Sequence, residues 1–484
     1  MILPRHGTKI VCTIGPSSRS PSILRGMIRA GMNVARLNFS HGEPDEHAKD
    51  AETIRSIARE LGQTVTILAD LPGPKIRIGQ LEREPLLLRK GEAVTLTTRD
   101  MPGRGSLIPV AYPAMTKSLS RGSHIYMNDG SIMLKVLDVA GEEVQCKVAV
   151  GGSILSHKGV NLPGAEIFME PVSERELELI DFGLRHGIRV FGVSFVEKAE
   201  DILKVKDFAG ARGIEVYTVA KIERSRAIER IDQILRVTDA VMVARGDLGV
   251  ELPIEDIPVV QKKLIRKANA LCKPVVTATQ MLLSMTDNTR PTRAESTDVA
   301  NAILDGTDGV MLSEETAIGR YPVETVRMMA RIAASTERHR RDLSRQEALP
   351  AREKGARADR DLSDVISRTV LDAARALRPR LILTPTSTGA TARRISRFKP
   401  APWILSFSER PEVAEFLVFS YGVFPVVQRL EPGEDWYEAA TRFLKEEKLA
   451  APGDTAILTQ GQFSPRHQTT DSMAVITIGE DCPP

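Results

Sequence analysis

EVYTVAKIE (215–223) and AVMVARGDL (240–248) are two of eight short runs in which β-branched and other apolar residues predominate. Stretches with the apolar spacing of a helix lie between such runs, as in VVQKKLIRKANALC (259–272). Strands that alternate with helices predict a parallel sheet with helices packed outside it, and the continuous run AVMVA predicts a strand buried on both faces. The other six runs are TKIVCTIGP (8–16), NVARLNFSH (33–41), TVTILADL (64–71), RVFGVSFV (189–196), PVVTATQ (274–280) and GVMLSEE (309–315).

Eight strands are the number that closes a (β/α)8 barrel, and this TIM-barrel class is the fold that the pattern predicts. An open doubly wound sheet is the alternative, but no GxGxxG sequence follows the first strand to support it. The predicted barrel comprises residues 1–79 and 170–340.

More than a hundred residues separate the third run from the fourth, far more than an ordinary βα loop contains. Within them, LLLRKGEAVTLTTRD (86–100), HIYMNDGSIMLKVLDV (124–139) and EEVQCKVAVGG (142–152) indicate short strands joined by glycine-containing turns. We therefore expect an all-β domain of β-barrel type over residues 80–169, called the insert below. It follows a barrel strand, where a lid over an active site would lie.

Beyond the barrel the composition of the chain changes. Residues 341–361 are highly charged and lack apolar periodicity, which predicts a linker. Residues 362–484 return to alternating patterns, such as the helical VISRTVLDAARALRP (365–379) before the strand-like LILTPT (381–386). They predict a smaller C-terminal α/β domain.

Composition excludes several classes of function. Lysine and arginine total 66 against 63 acidic residues, a net charge of +3 that gives no reason to expect binding to nucleic acid or an anionic membrane. The four cysteines form no CxxC pair, which argues against a disulfide framework or a zinc site. No apolar segment approaches the ~20 residues of a membrane span and no signal peptide is evident, so we expect a cytoplasmic protein.

Polar and charged side chains cluster at the expected C-terminal ends of the strands, where a barrel of this type carries its reactive groups. Lys221 and Glu223 are two residues apart and point to one face of their strand. Asp247 on the neighbouring strand is expected to join them. The residues at these ends are Arg36, Asn38, Ser40, His41, Asp70, Lys75, Arg77, Lys221, Glu223, Arg245, Gly246, Asp247, Thr277, Thr279, Ser313, Glu314 and Glu315.

Two carboxylates without histidine or cysteine favour Mg²⁺ or Mn²⁺ over zinc. A lysine beside such a metal, with arginines from other strands, suits a phosphorylated anionic substrate. The alternative is that these charges only pair with one another, but their recurrence at five of eight strand ends favours a site. No GK[ST] sequence occurs, so a nucleotide would not bind through a Walker A loop.

Nearly the whole chain, in the right order, resembles the pyruvate kinase family. The resemblance implies a phosphotransferase that moves the phosphoryl group of phosphoenolpyruvate to ADP, giving pyruvate and ATP. The motifs that carry it are RLNFSHG (36–42), DLPGPKIRIG (70–79), KGVNLPG (158–164), AKIE (220–223), MVARGDLGVELP (242–253), TATQML (277–282), PTRAESTDVANAILDGTDGVMLS (291–313) and TGATARRISRFKP (388–400).

The resemblance also implies roles for single residues. Glu223 and Asp247 would bind Mg²⁺, and Lys221 would lie against the transferring phosphoryl group. Arg36 would bind that group as well. The substrate carboxylate would meet the backbone around Gly246 and Asp247 together with Thr279, which is also a candidate for proton delivery, although a water chain would serve equally well. The residues expected to meet the nucleotide phosphates are Asn38, His41, Arg77 and Lys158.

A monovalent-cation pocket in the family corresponds to Asn38, Ser40, Asp70 and the Leu71 carbonyl group. Members that need K⁺ have an acidic residue where this chain has Lys75. The lysine ammonium would replace the ion, so we expect K⁺-independent activity.

The C-terminal domain matches the family's effector-phosphate loop at Thr386, Thr388, Gly389 and Thr391. We expect a phosphorylated effector there, a sugar monophosphate or AMP, although ordinary N-capping by Thr388 is an alternative. The segment 461–472 departs from the glycine-rich loops of other members, which leaves the effector's identity open. The family also implies a homotetramer.

Other interpretations stay open at this point. A Mg²⁺-enolate aldolase on a similar barrel would also use strand-end carboxylates, and a catalytically inactive metabolite sensor is a third reading. Capping of the next helix is the alternative role for His41, and Ser313 with Glu315 is expected to brace the barrel rather than bind substrate. Glu314 stands where the family has a small residue.

Overall fold

The computed structural model describes residues 3–128, 130–346, 362–430, 435–460 and 470–478, with the backbone alone for 341–346. The chain begins with three strands and two helices. Proline stands at the start of both helices, where its fixed φ suits the first turn. These elements are β1 (Lys9–Ile14), α1 (Pro21–Ala30), β2 (Val34–Asn38), α2 (Pro44–Glu60) and β3 (Thr66–Asp70).

The insert follows β3 and forms its own sheets and its own core. A two-stranded sheet pairs β10 with β4, and a six-stranded sheet has the order β11-β7-β8-β9-β5-β6. Ile76 and Ile78 belong to the core of the insert, so this packed unit begins before the expected boundary at residue 80. Its elements are β4 (Leu86–Leu88), β5 (Ala93–Thr97), β6 (Leu107–Pro109), α3 (Met115–Ser118), β7 (His124–Met127), β8 (Ile132–Ala140), β9 (Glu143–Val150), β10 (Gly152–Ile154) and β11 (Val160–Asn161).

The chain then returns to the barrel for five further strands. Capping boxes begin two of the outer helices, at Ser173 with Glu176 and at Thr292 with Glu295. The elements are α4 (Glu174–Arg185), β12 (Val190–Val193), α5 (Ala199–Gly210), β13 (Tyr217–Ile222), α6 (Ser225–Glu229), α7 (Ile231–Val237), β14 (Ala240–Ala244), α8 (Arg245–Glu251), α9 (Ile257–Ala270), β15 (Val275–Ala278), α10 (Arg293–Leu304), β16 (Gly309–Leu312), α11 (Glu314–Ala317) and α12 (Pro322–Gln346), with 3-10 turns at Ile254–Asp256 and Leu283–Thr286.

The eight strands close into a parallel barrel with the order β1-β16-β15-β14-β13-β12-β3-β2, which confirms the predicted fold class. Alternate residues of each strand face opposite sides. In β14, for example, Val241 and Val243 pack outward against the helices, whereas Ala240 and Met242 belong to the interior core. This alternation fills the barrel with side chains.

The C-terminal domain is an α/β unit with the sheet order β19-β18-β17-β20-β21. The domain is of the predicted α/β class: β17 to β20 are parallel, and β21 adds an antiparallel edge that the sequence did not predict. The elements are α13 (Leu362–Leu377), β17 (Leu381–Pro385), α14 (Ala390–Ser396), β18 (Trp403–Ser408), α15 (Pro411–Leu417), β19 (Val423–Val427), α16 (Trp436–Glu446), β20 (Thr455–Gln460) and β21 (Ser472–Thr477).

This domain packs against the end of the barrel at which the strands begin, called the floor below. Phe416 and Phe419 join the interior core of the barrel. The Phe416 ring stacks on Tyr217 with 4.3 Å between ring centroids. The floor is thus closed by aromatic side chains, and the opposite end, called the mouth, carries the polar strand ends.

Candidate active site

The polar side chains of the mouth follow from strand alternation. Val34 and Leu68 face the barrel interior, so Arg36 and Asp70, two residues further along β2 and β3, face the same side. Lys221 follows Val219 in the same way on β13. Because parallel strands end at one edge, the three side chains meet there.

Asp70 lies at the centre of this cluster with 1% of its surface exposed. Its carboxylate is 2.5 Å from Arg36 Nε and 3.1 Å from Lys221 Nζ. Burial opposes ionisation, but Lys221 and Arg36 together hold the pKa of Asp70 below its usual value. Gly192 on β12 permits the approach, since a Cβ atom there would lie 3.2 Å from Asp70 Oδ1.

Lys221 is the cation shared by the acidic groups. Its Nζ lies 2.9 Å from Glu223 Oε1 and donates a hydrogen bond to Ser194 Oγ at 2.7 Å. Burial would lower the pKa of Lys221, but Asp70 and Glu223 outweigh it and raise the pKa above the ordinary value. The ammonium is therefore charged and held by three side chains.

Glu223 and Asp247 form the acidic part of the site. Burial and the charge of Asp247 raise the pKa of Glu223 to about 7, against the opposing effect of Lys221. The Glu223 Oε2 atom accepts a hydrogen bond from the Phe195 backbone N–H group at 2.6 Å. Within the described part of the chain, the Asp247 carboxylate has no hydrogen bond or ion pair.

The structure corrects one detail of the expected arrangement. Asp247 does not lie on a strand, because β14 ends at Ala244 and the chain turns directly into α8, whose first turn contains Arg245, Gly246 and Asp247. The Gly246 N–H group donates to Thr279 Oγ at 2.9 Å. The start of α8 is therefore joined to the end of β15.

Thr279 has an unusual backbone, with φ +72°. Its hydroxyl also donates to the Ala278 carbonyl oxygen at 2.7 Å. Arg245 donates to the carbonyl oxygens of Thr279 at 2.8 Å and Ala278 at 3.2 Å, and it pairs with Asp298 at 2.7 Å. Sequence reasoning placed Arg245 at a strand end but gave it no role; the structure shows that it braces Thr279.

The four residues expected to meet a nucleotide lie on two segments. Asn38 Oδ1 accepts from the Ser40 N–H group at 3.2 Å, and exposed His41 follows directly. Arg77 donates to the His157 carbonyl oxygen at 2.9 Å, beside Lys158. His41 does not cap the next helix, because Glu43 is the N-cap residue of α2.

The residues of the expected monovalent-cation pocket already have partners. The Leu71 carbonyl oxygen accepts from Ser194 Oγ at 2.7 Å, and both Asp70 oxygens lie in ion pairs. Lys75 is exposed. Its chain lies along Gly159 of the insert, where a Cβ atom would be 2.8 Å from Lys75 Cε.

Several other residues at strand ends have structural roles. Glu315 is fully buried and accepts the N–H groups of Leu282 at 3.1 Å and Ser313 at 2.7 Å. It thus braces β16 against the segment after β15, as the sequence suggested. Thr277 is also buried and contacts Thr307 Oγ at 3.1 Å, away from the mouth.

The expected effector residues lie between β17 and α14. Thr386 Oγ accepts from the Gly389 N–H group at 2.8 Å, and Thr388 Oγ accepts from Ala390 at 3.4 Å. Gly389 has φ +75°, a conformation that favours glycine. The Thr391 hydroxyl contacts that of Thr470. Residues 461–469 of the second predicted effector segment lie outside the described residues.

Sequence reasoning missed the contribution of the fourth strand. Ser194 and Phe195 follow β12 and bind Lys221 and Glu223. Arg224 is 8% exposed and its guanidinium lies 2.5 Å from Glu197. The hydroxyl group of Ser194 immediately after an apolar strand was the available signal.

Two family models match the chain. One, described as pyruvate kinase, barrel domain, covers residues 5–326, and the other, pyruvate kinase, alpha/beta domain, covers 364–476. A pyruvate kinase of Thermococcus litoralis is 47% identical over 99% of this chain and 100% of its own length. A pyruvate kinase of Thermotoga maritima is 37% identical over 98% of this chain and 100% of its own length.

A solved structure shows the same fold. The crystal structure of a pyruvate kinase from Cryptosporidium parvum has a TM-score of 0.89 and 35% sequence identity, covering 98% of this chain and 96% of the other. No helix among the described residues is long and apolar enough to cross a membrane.

The fold and the mouth define a (β/α)8-barrel enzyme whose reactive charges lie at the C-terminal ends of its strands. More particularly, the chain belongs to the pyruvate kinase family. It is therefore a phosphotransferase, as predicted, and the aldolase alternative has no support in these comparisons. Members of the family generally need a divalent metal.

Proposed function

We propose that this chain transfers the phosphoryl group of phosphoenolpyruvate to ADP through the side chains of the mouth, giving pyruvate and ATP. The observation that carries this proposal is the cluster in which Lys221 contacts both Asp70 and Glu223, with Arg36 on the other side of Asp70. Phosphoryl transfer needs positive charge around the moving group more than it needs covalent chemistry. Two largely buried cations at one barrel end meet that need.

Glu223 and Asp247 are the residues proposed to bind Mg²⁺ or Mn²⁺. Burial and the charge of Asp247 raise the pKa of Glu223, and these two carboxylates form a donor set that suits a hard divalent cation. No group of three or more His, Cys, Asp or Glu side chains that suits a metal occurs in the described ranges, so the remaining ligands would be substrate and water. The bound metal would neutralise charge on the enolpyruvate and phosphoryl oxygens.

The chain's own groups would bind the rest of the substrate. Lys221 and Arg36 would hold the phosphoryl oxygens. The backbone of Gly246 and Asp247 at the start of α8, with Thr279, would receive the carboxylate. The Thr279 hydroxyl lies beside Gly246, where either it or a water chain would deliver a proton to the enolate carbon.

Asn38, His41, Arg77 and Lys158 are the proposed contacts of the nucleotide phosphates. Arg77 and Lys158 lie where the insert leaves and rejoins the barrel, with the Ile78 N–H group bonded to the Lys158 carbonyl oxygen at 3.0 Å. A nucleotide bound there would contact both domains. This placement favours ADP chemistry over an aldolase, which needs no nucleotide.

A coupled assay tests the proposal directly. The full-length protein with phosphoenolpyruvate, ADP and Mg²⁺ should oxidise NADH through added lactate dehydrogenase, and omission of ADP should abolish the signal. An inactive sensor would bind phosphoenolpyruvate without turnover. Retro-aldol cleavage without nucleotide would contradict the proposal.

Lys75 is proposed to make the activity independent of K⁺. Its carbon chain lies beside Gly159, next to Lys158 and opposite Arg77, so its ammonium belongs to the phosphate-binding side of the mouth. A tethered cation is already positioned there and need not be recruited from solution. The expected pocket of Asn38, Ser40, Asp70 and Leu71 would then not require an ion.

The loop of Thr386, Thr388, Gly389 and Thr391 is proposed to bind a phosphorylated effector, a sugar monophosphate or AMP. Two of its hydroxyls cap backbone N–H groups in the structure, which is also what ordinary capping requires. The phosphoenolpyruvate saturation curve, measured with increasing concentrations of each of these ligands, decides between the two roles. An unchanged curve with every sugar phosphate and nucleotide would end the regulatory proposal.

We also propose a cytoplasmic homotetramer, on the family resemblance. The surface supports association, because Ile254 is 72% exposed, Val259 64% and Ile318 57%. Light scattering coupled to size-exclusion chromatography should give four times the 53.1 kDa chain mass. A monomeric mass in active fractions would contradict it.

A further inference from the structure

Glu251 stands out among the acidic residues of the mouth that the reaction does not use. It is the last residue of α8, one helical turn beyond Asp247, so the two side chains lie on the same face of the helix. Its carboxylate accepts a hydrogen bond from Ser225 Oγ at 3.3 Å. Ser225 itself comes two residues after Glu223.

A third segment also lies near this carboxylate. Burial raises the pKa of Glu251, while Arg224 and the N–H groups of Ser225 and Gly164 oppose that effect. Gly164 belongs to the stretch on which the insert returns to the barrel. Glu251 therefore belongs to the helix of Asp247, accepts a hydrogen bond from the segment of Glu223 and faces the returning stretch of the insert.

The surrounding space supports this position. Glu251 lines a small space together with Glu223, Arg224, Lys75 and Leu162. On its other side it lines an open cavity of about 670 Å³ between the insert and the barrel, with the insert residues Tyr126, Gly130 and Pro163. Glu251 therefore lies between the small space beside Glu223 and the open cavity between the insert and the barrel.

Arg224 completes the arrangement. Its guanidinium pairs with Glu197 and lies 5.0 Å from the centre of the Phe195 ring. The backbone N–H group of Phe195 donates to Glu223. The charge of Glu251 acts on the same guanidinium. Arg224 thus lies between Glu251 and the segment whose Phe195 N–H group binds Glu223.

We propose that Glu251 is a positioning residue that fixes Glu223 and Asp247 relative to the returning segment of the insert. In this proposal Glu251 does not bind the metal itself, and its carboxylate is instead held by the Ser225 hydroxyl group. This inference rests on the proposed metal site. Groups that orient metal ligands through hydrogen bonds typically change metal affinity or activity by about 10–100-fold when they are removed.

The test compares Glu251→Ala, Glu251→Gln and the control Glu255→Ala, which alters an exposed glutamate four residues further on. Glu251→Ala should raise the Mg²⁺ concentration for half-maximal activity by about tenfold. Glu251→Gln keeps one acceptor oxygen for Ser225 but removes the charge, and it should raise this concentration less. Glu255→Ala should match the wild type.

A second measurement does not depend on activity. Hydrogen exchange in the metal-free protein should be faster over 158–167 in Glu251→Ala than in the wild type or in Glu255→Ala. If exchange and Mg²⁺ dependence are both unchanged in a folded Glu251→Ala protein, or if only the melting temperature falls, the positioning role is wrong. Loss of Mg²⁺ activation as complete as in Asp247→Ala would instead make Glu251 a ligand and overturn it. An inactive wild type would count against the proposed function, whereas the exchange result would still report on Glu251.

Discussion

The two ends of the barrel both carry buried charges, but the charges are bound in different ways. At the floor, Glu337 accepts hydrogen bonds from the Gly7 N–H group, the Thr8 N–H and hydroxyl groups and the Tyr421 hydroxyl, all at 2.7–2.9 Å. Asp308 is held by Lys399 at 2.6 Å and by the Tyr421 N–H group at 2.9 Å. These carboxylates are fixed by barrel and C-terminal domain together.

At the mouth the acidic groups are less completely bound. Asp70 is held by two cations, but the Asp247 carboxylate has no partner within the described ranges and its charge raises the pKa of Glu223. A carboxylate pair without enough positive charge favours binding of a cation. Buried charge at the floor therefore joins two domains, whereas the mouth keeps a carboxylate without a partner in the described ranges, as the proposed binding of substrate and metal requires.

The largest effect is expected when one aspartate is replaced at each end of the barrel and the two variants are compared. Asp247→Ala should lower kcat by at least ~10³-fold, because it removes a charge that acts in the transition state. Asp308→Ala should leave kcat close to wild type but lower the melting temperature, since it leaves Lys399 buried without its partner. Steady-state kinetics and thermal unfolding of both variants measure this contrast. A folded Asp247→Ala protein with near-normal kcat would contradict the proposal that Asp247 binds the metal at the mouth.

The same substitution at two lysines sharpens the comparison. Lys221→Met should lower kcat by at least ~10²-fold with a smaller change in the KM for phosphoenolpyruvate, because the ammonium acts on the phosphoryl group in the transition state. Lys9→Met at the floor should not change kcat. A pure KM effect at Lys221 would mean that this lysine only binds substrate.

A smaller effect is expected where the mouth meets the insert. In buffer with a bulky organic cation and no Na⁺ or K⁺, the wild type should be active, and added K⁺ should change little. Lys75→Glu should create activation by K⁺ on the order of tenfold, since a unit charge a few ångströms away contributes about 1–4 kcal/mol. Lys90→Glu, at an exposed lysine of the insert, is the matched control. Strong K⁺ activation of the wild type would refute the role of Lys75.

The last expected effect is on stability rather than on kcat, and it concerns pH and the floor. Burial lowers the pKa of Lys9 to about 7, although Glu337 and Asp308 oppose this. Between pH 7 and the ordinary lysine pKa of 10.5 the unfolded chain binds more protons at Lys9 than the folded chain does, so this group makes stability rise with pH. The wild type should gain stability relative to Lys9→Met by up to about 1.4 kcal/mol per pH unit in that window. Parallel pH profiles of the melting temperature would contradict the prediction.

Strand alternation predicted the mouth well. The two-residue period places Arg36, Asp70 and Lys221 inside the barrel, and parallel strands bring their ends together. The same reasoning placed Asp247 near Glu223 but on a strand, because nothing local in the run 240–248 shows that the helix begins directly at Arg245. Element boundaries depend on packing around the turn as well as on the run itself.

The sequence by itself determined the eight strands, the position of the insert and the group of charges at the mouth, because each depends on spacing within a short stretch of chain. Only the tertiary structure decided which groups hold those charges. Ser194 and Phe195 bind Lys221 and Glu223 from the segment after β12, and Glu251 binds Ser225 from the end of α8. At the floor, Lys9 binds the Val423 carbonyl oxygen at 2.6 Å across 414 positions of sequence. Such contacts exist only once the barrel has closed and the C-terminal domain has packed against it, and no local pattern of side chains encodes them.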